Sequence, residues 1–171
     1  MKRSKIESPR LYLRNLAVTD AKFVMRLLNS PTWLEHIGDK HVKTPDDAIS
    51  YIKFNPSSSY NRSKYGLKAV LLKETNEPVG LCGLIQRDYL AHPDLGFAFL
   101  PEYAGKGYGY ESSYAVLSQP EIRWPVYAMT GSDNYASQGL LKKLGFVEEG
   151  TFLMPSHQFE CLMYKLEKIT K

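Results

Sequence analysis

Residues 95–130 constrain the fold more than any other part of the chain. An apolar, strand-like run at 95–100 is followed by Gly105, Gly107 and Gly109 at alternate positions, a helical pattern over 107–118 and a second strand-like run at 126–130. A strand–turn–helix–strand crossover of this kind joins parallel strands. The rest of the sequence offers short connections that suit antiparallel neighbours, so one mixed sheet must carry both kinds of pairing.

Periodicity outlines that sheet. Leu11, Leu13 and Leu16 among polar neighbours predict a first strand over 10–16. Thr19 is a suitable N-cap for an amphipathic helix with Phe23, Val24, Leu27 and Leu28 on its apolar face, ended by Asn29-Ser30-Pro31. Thr44-Pro45-Asp46-Asp47 predicts a second helix with Ala48, Tyr51 and Ile52 inward, closed at 56–59. Apolar runs at 65–73 and 78–86 flank a hairpin turn at 74–77. After the crossover come a helix over 134–144 and strands near 146–153 and 160–166. The order β-α-α-β-β-β-α-β-α-β-β predicts an α+β fold, with a mostly antiparallel sheet of about seven strands flanked by about four helices.

The 171 residues fit one domain, 1–171, long enough to bury its own core. Cys82 and Cys161 are distant in sequence and lie in apolar runs, with no His or second Cys at ligand spacing. They read as reduced core residues of a cytoplasmic protein, and no metal is expected. The basic N-terminus is followed by no long apolar run, which argues against a leader or membrane anchor. A net charge of +4 suits an anionic ligand but lacks the clustered basic stripe of a nucleic-acid binder.

Glycines let a backbone adopt positive φ and approach a ligand closely, and the free amides at a helix start form an anion cradle. Gly105-Lys106-Gly107-Tyr108-Gly109 therefore reads either as a plain turn or as a pyrophosphate site. A dinucleotide fold would place its glycines after the first strand, and a P-loop would need a hydroxyl after Gly-Lys. A second segment, Asn134 to Phe146, predicts a short helix capped by Asn134 and ended by Gly145. It puts Asn134 and Ser137 one turn apart on its first turn.

With both segments in view the chain resembles the GNAT N-acetyltransferases, within them the branch of ribosomal-protein alanine and serine acetyltransferases. The resemblance runs over about 9–166. It rests on Ala104-Gly105-Lys106-Gly107-Tyr108-Gly109, which aligns with the family's Gln/Arg-x-x-Gly-x-Gly/Ala motif, and on Asn134, Ser137 and Leu144-Gly145-Phe146 in its later motif. Val79 to Leu84 and Leu95-Gly96-Phe97 match its central strands. Ala104 stands where many members carry Gln or Arg, so one side-chain contact is lost.

The resemblance implies acetyl transfer from acetyl-CoA to a primary amine, a protein N-terminus or a small molecule, by direct attack without an acyl-enzyme. It places the CoA pyrophosphate on the amides of Gly105, Lys106, Gly107, Tyr108 and Gly109. The pantetheine arm pairs with backbone near Phe99 and Leu100 in a gap between splayed strands. Asn134 holds that arm, Ser137 protonates the leaving thiolate, and Lys143 or Lys142 meets the CoA 3′-phosphate.

A nucleophilic role for Ser137 lacks a neighbouring His as base. Asp94 and Asp88, at adjoining strand ends, are the candidate general bases, with solvated strand-end acids as the alternative reading. Trp33 and His36, with His41, are candidates to line the acceptor groove, or simply core. A monomer or homodimer, no membrane and no direct nucleic-acid contact are expected. A non-catalytic acyl-CoA-binding module of the same fold is the competing function.

Overall fold

The computed structural model describes residues 5–55, 60, 64–155 and 159–169. Eight strands form one sheet: β1 (Ile6–Glu7), β2 (Leu11–Asn15), β3 (Gly66–Leu72), β4 (Pro78–Ile85), β5 (Asp94–Phe99), β6 (Val126–Thr130), β7 (Val147–Met154) and β8 (Phe159–Leu166). Five α-helices are described: α1 (Ala21–Leu28), α2 (Pro31–His36), α3 (Pro45–Phe54), α4 (Tyr108–Leu117) and α5 (Tyr135–Lys143). The mixed, mostly antiparallel α+β architecture is the expected one.

The strand order is β1-β2-β3-β4-β5-β6-β8-β7, and β5 with β6 is the parallel pair. The crossover through α4 makes it so, as the spacing requires. The last strand, β8, runs between β6 and β7 and pairs antiparallel with both.

The sheet divides the apolar interior in two. Leu11, Leu13, Val70, Val79, Cys82 and Leu95 face α4 and α5, whose Val116, Leu117, Leu141 and Leu144 complete that core. Leu71, Leu81 and Leu100 point the other way, onto Val24, Leu27, Trp33, Ala48 and Ile52 of α1–α3. Covered on both faces, β4 is apolar throughout rather than alternating.

Several elements depart from the sequence reading. The two residues of β1 pair with Tyr12 and Leu13 and raise the strand count to eight. Thr19 does not cap α1. A 3-10 turn over Val18–Asp20 precedes the helix, and buried Asp20 accepts from the Ala17 amide at 2.8 Å and from both Arg14 Nη atoms at 2.7 and 2.9 Å. A carboxylate with two oxygens satisfies three donors where a hydroxyl could not.

Asn29-Ser30-Pro31 ends α1 but also opens α2, with Pro31 in the first turn, where its missing N–H costs nothing. Thr44 caps α3 as expected, accepting from Asp47 N while Asp47 reaches back to Thr44 N at 2.8 Å. The expected closure of that helix at 56–59 lies outside the described residues, as do Met1 to Ser4 of the basic N-terminus.

Close strand packing at the centre depends on Gly83, where an added Cβ would stand 2.2 Å from the Gly66 carbonyl oxygen. That oxygen belongs to a backbone locked in the β3–β4 register and cannot retreat. Gly83→Ala is expected to lower stability by roughly 2–3 kcal/mol, seen as an earlier urea midpoint with an unchanged slope.

Candidate active site

The site is built by a strand that lacks a partner. β5 pairs with β4 along its whole length, from Asp94↔Ile85 to Phe99↔Gly80. With β6 it shares one bridge, Asp94↔Tyr127, where the Tyr127 amide donates to the Pro93 carbonyl at 2.9 Å. Beyond that bridge the strands separate, and β6 is held on its other edge by β8.

Backbone groups alternate along a strand. The Leu100 amide points at β4, donating to Val79 O at 3.0 Å. The amides and carbonyls of Phe97 and Phe99 therefore point into the gap. Of the two expected pantetheine contacts, Phe99 carries the open edge. Leu100 uses its amide on Val79 and its carbonyl on Tyr103 N at 2.9 Å. Phe97 shares the open edge, a role strand parity alone could have assigned.

Both C-terminal strand ends lead into helix starts. Pro101–Tyr103 forms a 3-10 turn after β5, and the chain then passes Gly105 at φ +73° and Gly107 at φ +81° before α4. Side-chain-bearing residues rarely adopt these angles. The helical ladder begins with Glu111 N to Gly107 O, leaving the amides of Tyr108, Gly109 and Tyr110 outside it. Gly109 has a different reason to be glycine, since a Cβ there would stand 2.6 Å from Leu140 Cδ1. It is a point of close approach between α4 and α5.

Three cations surround this turn, each over a tyrosine ring. Arg10 lies 4.6 Å from the Tyr108 centroid, Lys143 4.7 Å from Tyr110 and Lys106 5.2 Å from Tyr103. A cleft of about 600 Å³ runs along the same face, lined among others by Arg10, Gly107, Tyr110, Tyr114 and Lys143. Glu111 anchors one wall, accepting from the Arg10 amide, Arg10 Nε and Ser8 Oγ, each at 2.7 Å. Burial alone would raise its pKa, but those donors outweigh burial and hold the carboxyl below its usual value of 4.5.

Asn134 accepts from Ser137 N at 3.1 Å and caps α5, as expected. Ser137 is half-buried on the first turn, just past the end of β6. With Leu140 against Gly109 and Lys143 against Tyr110, the later turns of α5 lie beside the start of α4. Ser137 sits one turn back from Leu140, toward the strand ends.

Asp94 occupies the closed end of the gap. Strand alternation turns its side chain to the α1–α3 face, opposite α4. It is 2% exposed and accepts from Arg87 Nε at 2.8 Å. Burial pushes its pKa above the usual carboxylate range, while the Arg87 guanidinium pulls the other way. Asp88 is exposed in the turn after β4.

Trp33 is 5% exposed and packs in the α1–α3 core, its indole nitrogen without an acceptor among the described residues. His36 follows on α2, with Nε2 3.9 Å from Glu35 and Nδ1 buried without a partner among those residues. Both stand on the Asp94 face of the sheet rather than beside the glycine turn. Among the described residues no cluster of His, Cys, Asp and Glu could hold a metal, and no helix is long and apolar enough to cross a membrane.

A parallel pair opened beyond its one bridge, with a glycine turn and two helix starts at its mouth, belongs to a fold that the chain shares with known acetyltransferases. Residues 10–147 match the acetyltransferase (GNAT) domain family, and the chain belongs to it as an N-acetyltransferase. It is 26% identical over 160 residues to the uncharacterized N-acetyltransferase YoaA of Bacillus subtilis (strain 168), covering 90% of this chain and 88% of that protein.

In fold it is similar to an acetyltransferase from Agrobacterium tumefaciens, with 20% identity, a TM-score of 0.78, and 98% and 96% of the two chains covered. It is also similar to RimL, a ribosomal alpha-N-protein acetyltransferase solved with coenzyme A. There the identity is 16%, the TM-score 0.82, and the coverage 96% and 98%.

Glu111 gives a test of the wall's energetics. Its folded pKa lies below the unfolded value, so its contribution is complete above about 4.5 and is lost as pH falls through the folded value. Glu111→Gln is expected to cost about 1–2 kcal/mol at pH 7 and to flatten the acid limb of a stability–pH curve followed by urea unfolding.

Proposed function

We propose that this chain transfers the acetyl group of acetyl-CoA to a primary amine, on a protein N-terminus or a small molecule, by direct attack within a ternary complex. The observation that carries the reading is the unpaired β5 edge ending in a glycine turn with open amides. An extended, amide-bearing arm with a pyrophosphate at one end fits that pair of features.

In this reading the amides of Gly105 to Gly109, with Lys106, hold the pyrophosphate. The cleft along α4 takes the nucleotide end near Lys143. Phe99, with Phe97, pairs with the pantetheine amides, and Asn134 steadies the arm from α5. A gap amide of β5 also supports the charge that develops on the thioester oxygen.

The amine enters from the α1–α3 side, where His36 and Trp33 stand. Asp94 takes the amine proton directly or through water as the new C–N bond forms and the C–S bond breaks. Ser137 Oγ gives its proton to the departing thiolate and recovers one from solvent. A carboxylate whose pKa is raised by burial suits a proton acceptor for an amine near neutral pH.

Titration with acetyl-CoA beside ATP tests the site, and micromolar binding of the first alone is the expected result. Ser137→Ala is expected to keep acetyl-CoA affinity and to lose roughly 10²-fold or more in kcat. Wild-type turnover in that variant would remove Ser137 from the mechanism. Asp94→Asn is expected to abolish the acid limb of the kcat/KM profile, a limb that lies above the ordinary Asp value of 3.8. An unchanged profile would exclude Asp94 as base.

A further inference from the structure

We infer that Arg10 is a positioning residue that sets the direction of the anion-binding turn, an inference that rests on the acetyl-CoA reading above. Arg10 stands just before β2, 96 residues ahead of the turn it touches. Its guanidinium makes three directed contacts. Nε donates to Glu111 Oε2 at 2.7 Å, Nη1 donates to the Lys106 carbonyl at 3.1 Å, and the plane lies over the Tyr108 ring. Nη2 lies 3.2 Å from where a Cβ at position 107 would stand, so the turn packs directly against the guanidinium.

The Lys106 carbonyl contact bears on ligand binding because a trans peptide is planar. Its carbonyl and the next N–H point in opposite directions. Drawing the Lys106 oxygen onto Arg10 therefore aims the Gly107 N–H away from Arg10, where it has no acceptor among the described residues. Such a lock is needed. Gly105 and Gly107 flank this segment, and glycine populates both signs of φ, so the 106–107 peptide could otherwise turn over cheaply. Glu111 holds the guanidinium in register through the Arg10 amide and the Ser8 hydroxyl.

The arrangement also answers the Ala104 departure. Ala104 brings no side-chain donor to the head of the turn, and Arg10 supplies one from the far end of the chain. Glu111 offsets the Arg10 charge, so direction rather than net charge is what Arg10 contributes. A planar fork can serve the Glu111 oxygen and the Lys106 oxygen together, whereas a lysine is a single point donor.

The test is titration of acetyl-CoA into wild type, Arg10→Ala, Arg10→Lys and Thr44→Ala, with a thermal midpoint for each. Arg10→Ala is expected to raise Kd about tenfold. Arg10→Lys should recover the midpoint but not the affinity. Thr44→Ala, which removes the α3 cap on the opposite face of the sheet from the turn, should move Kd less than about twofold even where its midpoint falls.

The inference is overturned if either Arg10 variant binds within twofold of wild type, or if Kd follows the midpoint across all three variants. Should Arg10→Ala fail to fold, Arg10→Lys decides. Wild type that binds no acetyl-CoA would instead sink the acetyl-CoA reading itself, an outcome distinct from the other two.

Discussion

One missing row of hydrogen bonds organises this protein. Past the Asp94–Tyr127 bridge, β5 keeps β4 and loses β6, so one edge of a central strand runs open through the middle of a sheet. An open edge inside a fold leaves polar groups that want partners. Two arrangements keep the sheet together around it. On one side β4, apolar on both faces, ties β5 to the N-terminal strands. On the other, β8 binds β6 through five residue pairs and carries β7 outward. The gap is thus a stable feature between two rigid half-sheets.

That geometry separates two kinds of chemistry. The α4–α5 face gathers helix starts, left-handed glycines and three cations over tyrosines, a setting for an anion. The α1–α3 face holds Asp94 with Arg87 at the closed end of the gap, and α2 carries Trp33 and His36 on that side of the sheet. In the proposed reaction the phosphates of the donor lie on the first face and the amine arrives from the second. No residue need serve both tasks.

Much of this was legible beforehand because it depends on short-range physics. The crossover length around Gly105, Gly107 and Gly109 requires a parallel pair. Thr44 and Asn134 are caps because their side chains reach the third amide onward, a relation contained in four residues. The hairpin between β3 and β4 follows from two apolar runs and a polar turn. Where local signals are ambiguous the sequence does not decide: Ser30-Pro31 serves equally as a stop and as a start, and a helix of six residues leaves little periodicity to detect.

Apart from β1 and α2, the elements, the parallel crossover, the glycine turn and the Asn134 cap of α5 follow from the order of residues alone. Each is decided by backbone sterics and hydrogen bonds among residues close along the chain. Tertiary structure alone decided that Gly109 is small for Leu140, that Leu100 turns its amide to β4 while Phe99 faces the gap, and that Asp94 is buried against Arg87. It alone brought Arg10 to Lys106 and Glu111, and β8 between β6 and β7. These depend on which distant segments meet, and loop closure and packing over a hundred residues leave no local signature of that choice.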